Sequence, residues 1–316
     1  TRMTVANLSP LSLDALTLRI KQQALELGFD SVGILSIDDL HASRMPNGLL
    51  PEAQALERWV EHGYHADMDW MPNHLTLRQD PASLMENTQS IVCVTMNYYQ
   101  PRPHDSPEAH NTEDNPNDAV KVARYALGTD YHHVLKKRLK TLLNSLQADF
   151  PEANIQGRPL TDSAPIMERP LAWRAGLGWL GKNGMLIHPE RGSYFFIAEL
   201  LLNIPLISDA QPLSNHCGRC TRCIDACPTD AILPAATHTV HSDTDQDHSV
   251  IDTNRCISYW TIESKAEHFP DAIRDNLNDW VFGCDICQEV CPWNVRFARP
   301  TAIPDFEPRP VLNTPT

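Results

Sequence analysis

Eight of the nine cysteines lie beyond residue 216, in groups whose spacing constrains this chain more than any other feature. Cys217, Cys220, Cys223 and Cys227, followed by Pro228, form the run C-x2-C-x2-C-x3-C-P. A loop of that pitch wraps three thiolates around one iron–sulfur cube, and its last cysteine points to a second cube. A second group, Cys284, Cys287 and Cys291 before Pro292, has no first cysteine near Val281. Cys256 is the candidate left to complete the count. The sets that follow are Cys217, Cys220, Cys223 and Cys291 for one [4Fe–4S] cluster, and Cys227, Cys256, Cys284 and Cys287 for the other. Zinc also uses C-x2-C pairs, but a zinc ribbon needs neither the third cysteine nor the Cys-Pro endings. Cys93, inside the short apolar run SIVCVTM, reads as a buried structural thiol.

Two adjacent clusters conduct electrons, so the first 210 residues should hold the chemistry. Apolar spacing predicts helices over 14–28, 51–63, 130–150 and 165–176, and strands near 29–37, 90–96 and 155–162. Alternating helices and strands point to an α/β domain over 1–210. An α+β, bacterial-ferredoxin-like domain with the two clusters should then occupy 211–300. Gly176, Gly178 and Gly181 satisfy G-x-G-x-x-G, the dinucleotide fingerprint. That fingerprint must follow a strand and open a helix. Helical spacing precedes it here, which favours a closely packed loop.

Lys and Arg number 26 against 40 Asp and Glu, a net charge of −14. Acidic stretches at 104–118 and 237–252 read as solvated loops. Such a balance disfavours non-specific nucleic-acid binding and leaves room for a local basic patch. No run of 18 apolar residues occurs, and the most apolar stretch is broken by Glu199 and Asn203. No export signal is visible, so a cytoplasmic protein without membrane contact is expected, and its cysteines are no disulfide framework.

Several stretches occur together: RYALGTDYHHVLKKRL, TDSAPIMERPLAWRAGLGWLGKNGMLI, the first cysteine run, CISYWTIES and CDICQEVCPWN. Jointly they resemble the epoxyqueuosine reductase family. The resemblance implies a cobalamin-binding α/β domain followed by the two-cluster domain. It implies reductive removal of the epoxide oxygen from epoxyqueuosine in a tRNA anticodon loop, with electrons from an external donor. Asp162, in D-x-x-P-x-x-E-R, is thereby implied as the proton donor beside cobalt; on residue type alone it would cap the following helix. Arg78, Tyr125, His132, Arg169, Lys182, Asn183 and Met185 lie in the matching motifs and are candidates to contact the corrin, His132 not as an axial ligand. Basic candidates for tRNA are the 136–140 cluster, Arg296 and Arg299. The tail 301–316 is expected to begin a C-terminal helical segment. Rival readings are a corrinoid reductive dehalogenase acting on small organohalides and a non-catalytic electron-transfer protein.

Overall fold

The computed structural model describes residues 12–102, 120–235 and 249–309. The acidic stretch 104–118, and 237–248 of the second, lie outside them. A four-stranded sheet organises the larger domain. Its spatial order is Ser31–Ser36, Ser90–Asn97, Phe195–Leu202 and Gly157–Leu160, and every neighbouring pair is antiparallel. The α/β expectation is corrected here. Helix–strand alternation fixes the order of elements along the chain, whereas long excursions between strands leave their directions free.

Both sheet faces are covered, which explains why SIVCVTM is apolar without alternation. On one face Val92, Val94 and Met96 pack against Leu16 and Ile20 of helix Leu13–Glu26 and Leu135, Leu139 and Leu142 of helix Tyr131–Asp149. On the other, Ile91, Cys93, Leu160 and Leu201 meet Ile37, Ala53, Leu171 and Ala172. Cys93 is fully buried there, as its sequence context suggested. Helix Glu168–Arg174 lies so close that a Cβ on Gly33 would fall 2.3 Å from the Ala175 carbonyl oxygen.

The G-x-G-x-x-G stretch follows that helix and contains the first strand of a hairpin, Trp179–Leu180, paired with Leu186–Ile187. A Cβ on Gly178 would come 2.6 Å from the Ile187 carbonyl oxygen. This is the reverse of the dinucleotide order, and the glycines serve packing.

The segment after residue 120 packs against residues beyond 210. Lys121–Val122 pairs in parallel with Trp280–Phe282, and Ala123 shares a small core with Ile257 and Trp280. Arg124, 6% exposed in its side chain, donates to Asp285 and Glu289 at 3.2 and 2.6 Å. The described part of the tail does not leave the molecule: Phe306 is buried in the first core beside Gly128, and Arg309 N donates to Leu127 O. No helix among the described residues is long and apolar enough to cross a membrane.

Candidate active site and cluster loops

The eight cysteines of the second half lie close to one another. Cys217, Cys220, Cys223 and Cys291 line one cavity of about 300 Å3 with Lys182, Arg222 and Trp293. Burial, then the neighbouring thiols Cys217, Cys291 and Cys220, push the Cys223 thiol up to about 11. Burial, with Cys256 and Cys227 nearby, pushes Cys284 up to about 12, and Cys287 is raised by burial beside Cys256, Cys284, Cys223 and Cys227. Four thiolates about 2.3 Å from one zinc would close on the ion and leave no such cavity. Among the described residues no three His, Cys, Asp or Glu side chains converge on a single-ion site. The arrangement suits a cube.

Asp162 follows the strand Gly157–Leu160. Thr161, fully buried, ties the strand end by donating to Ile197 O at 2.9 Å. The chain then turns tightly, with Ser163 N on Thr161 O and Ile166 N on Ala164 O, and Asp162 adopts a left-handed φ of 50°. Its backbone N–H donates to Glu168. The helix expected from Pro165 therefore starts only at Glu168, with Met167 as N-cap and no side-chain cap. Asp162 does not cap it.

The Asp162 carboxylate, 58% exposed in its side chain, is held from helix Tyr131–Asp149. Tyr131 Oη donates to Asp162 Oδ2 at 2.8 Å, and His132 Nε2 lies 3.0 Å from the same oxygen. His132 Nδ1 is 2.7 Å from Asp130 Oδ1, and His133 Nδ1 lies 3.1 Å from Asp130 Oδ2. Lys136 donates to Ser163 Oγ at 2.7 Å. Both His132 nitrogens are thus engaged by carboxylates. Beneath the loop, burial pushes Glu168 up to about 7, with Asp162 adding to the rise. Glu199, fully buried with neither oxygen hydrogen-bonded, is pushed up strongly by burial beside Glu168.

Tyr131 and Tyr125 meet edge to face, and Tyr125 meets Phe282, one residue before Gly283 and Cys284. An aromatic row therefore runs from the Asp162 carboxylate to the second cysteine set. The other expected corrin contacts divide. Arg78 lies under the loop, donating to Ile166 O at 3.4 Å. Arg169 donates to Gly184 O, next to Met185. Lys182 and Asn183 turn towards the cysteine loops: the ammonium donates to Gly218 O and Cys220 O, and Asn183 donates to Cys287 O at 3.3 Å. These side chains brace the cysteine loops. Tyr131, Asp130, Glu168 and Glu199 were not singled out; the first three adjoin motif residues, whereas Glu199 looked like an interruption in an apolar run.

Comparison with known proteins agrees with this arrangement. Residues 78–163 match the family described as epoxyqueuosine reductase QueG, and residues 216–294 match the 4Fe-4S double cluster binding domain. The epoxyqueuosine reductase of Leadbetterella byssophila is 43% identical over 295 residues, 93% of this chain and 85% of that one. The chain belongs to the epoxyqueuosine reductase family. That of Escherichia coli is 42% identical over 97% of this chain and 72% of its own. A crystal structure of an epoxyqueuosine reductase with an epoxyqueuosine-modified tRNA stem loop superposes with a TM-score of 0.74. That match has 28% identity and covers 95% of this chain and 70% of the other.

Proposed function

We propose that this family member removes the epoxide oxygen of epoxyqueuosine in tRNA, with Asp162 as proton donor, in the cytoplasm. The observation that carries the assignment of roles is the Asp162 carboxylate, fixed by Tyr131 and His132 at one end of an aromatic row that ends at the Cys284 cluster loop. The residues fit a corrin. Tyr125 and Phe282 would offer ring surface to a flat macrocycle, while Tyr131, stacked between His132 and Phe196, and His132, engaged by carboxylates on both nitrogens, would hold Asp162. Bound cobalamin would supply a reduced cobalt nucleophile for the epoxide carbon, fed by the two clusters.

The net change consumes two electrons and two protons and releases the oxygen as water. Opening the ring leaves an alkoxide, which Asp162 protonates; once reloaded, Asp162 gives the departing hydroxyl the second proton, so that it leaves as water. A positioned general acid contributes about 10²–10⁴-fold. His132 then restores the proton through its 3.0 Å contact with Asp162 Oδ2, and Asp130 with exposed His133 reloads His132 from solvent. Glu168 accepts the Asp162 backbone N–H and so keeps the left-handed turn that presents the carboxyl.

The substrate base must leave its stack to reach this carboxylate. Anaerobic, cobalamin-loaded protein should convert epoxyqueuosine to queuosine in tRNA, read by nucleoside mass spectrometry. Absence of that product, with halide released from a panel of chlorinated phenols instead, would overturn the substrate assignment.

A further inference from the structure

The cavity between Cys217, Cys220, Cys223 and Cys291 differs from the rest of this acidic chain. Its lip carries Arg222, Arg296 and Lys182. Arg219, Arg222, Arg296 and Arg299 are exposed, and no Asp or Glu occurs in 210–224 or 290–304. Arg219, Arg222 and Arg296 have no carboxylate partner among the described residues. Beside Arg296 stands Val295, 70% exposed, the most exposed large apolar side chain described. At the Asp162 end the acids Asp130, Asp162, Glu168 and Glu263 share the site with Arg78, Arg169 and Lys136.

A solvated basic face would need no further account if it lay anywhere else. This one surrounds the mouth of a cavity whose walls are cluster thiols, on the set that does not adjoin the Tyr125 row. Electron transfer between proteins requires a close, brief encounter, which complementary charge accelerates and a small apolar centre registers. We propose that this face, with Arg222 and Arg296 on its lip, docks an acidic single-electron carrier protein that reduces the chain at the Cys217–Cys223 and Cys291 cluster. In each encounter the carrier's reduced centre loses one electron and this cluster gains it; two encounters supply the two electrons that leave with the oxygen as water. The proposal rests on the two-cluster reading and is independent of the substrate. An RNA backbone would also favour arginines, and His216, Trp293 and Phe297 line the same cavity, but the substrate base must lie at Asp162, beside the other cysteine set.

The test uses anaerobic holoprotein with reduced flavodoxin, an acidic flavin carrier, followed by stopped-flow bleaching of the cluster absorbance without cobalamin or tRNA. The wild-type rate should fall as salt rises. The double variant Arg222→Glu, Arg296→Glu should slow about 10–100-fold with flavodoxin, and keep its rate with reduced methyl viologen, which needs no docking surface. The milder variant Arg222→Gln, Arg296→Gln, which removes the charge without setting a carboxylate beside the thiols, should slow flavodoxin as well and keeps the test open if the first variant loses iron. Unchanged flavodoxin rates in cluster-replete variants would overturn the proposal. Unchanged flavodoxin rates with weakened binding of a tRNA stem loop would overturn it and give the face to RNA.

Discussion

The sheet domain and the cluster loops are held together by different physics. Around the sheet, two large apolar clusters bury whole faces of helices and strands. Beside the cysteine loops the apolar clusters among the described residues are small: Ala123, Ile257 and Trp280 at one place, and Trp179, Ile187 and Cys291 at another. The helices of these loops are as short as Arg222–Asp225 and Ile286–Glu289. Isolated helices of that length do not persist in water. The first region folds on apolar burial; the second is organised around its cofactors, with Arg124–Asp285 and the Asn294–Ser193 contacts as its ties to the sheet. Polar ties position a loop and add little stability each, about 1 kcal/mol per hydrogen bond.

The largest effect that would break this comparison is iron removal. Chelation under oxidising conditions should abolish turnover and release the 217–227 and 284–291 loops to fast hydrogen exchange, while Ser90–Asn97 and Phe195–Leu202 stay protected. Equal loss of protection in both regions would mean that the sheet also depends on the clusters. Next comes Asp162→Asn, which should lower turnover about 10²–10⁴-fold with cobalamin binding and melting temperature unchanged. His132→Gln should cost less, about 10-fold, with imidazole in the buffer restoring part of the loss. Steady-state rates across pH would check both.

A smaller effect sharpens the contrast inside the sheet domain. The Glu168 pKa, about 7, lies above its ordinary 4.5. The folded state therefore binds its proton more tightly than the unfolded chain. That contribution is complete below about pH 4.5 and disappears as pH rises through 7, for roughly 1–3 kcal/mol. Urea unfolding should show stability falling over that window, and Glu168→Gln should flatten the slope. Smallest is Glu199→Leu, which removes a buried group without a partner and should raise stability by about 1 kcal/mol at pH 7.5.

What was legible in the sequence followed the same division. The two-cluster domain was legible, because a loop that wraps a cube fixes the spacing of most of its cysteines within a few residues. Leu135, Leu139 and Leu142 announced the helix Tyr131–Asp149 by their period, and Asp130 caps it as its residue type allows. Strand direction was not legible, since antiparallel pairing of segments far apart leaves no local mark. Neither was the bracing role of Lys182 and Asn183, which belongs to loops more than 30 residues away. Glu199 could not be foreseen either: its neighbours Cys93 and Leu160 come from other strands, and only the register brings them together.

The pairing of Cys291 with Cys217, Cys220 and Cys223 has a topological consequence. A cube held by both groups closes a chain loop of roughly 70 residues, which removes about 4 kcal/mol of entropy from the unfolded chain in a loop-closure model. The other set, Cys227 with Cys256, Cys284 and Cys287, closes its loops inside that one. Whichever cube forms first brings the ligands of the other near one another, so the second closure costs far less. Iron loading should therefore be cooperative, and native mass spectrometry of partly reconstituted protein should find molecules with both cubes or neither.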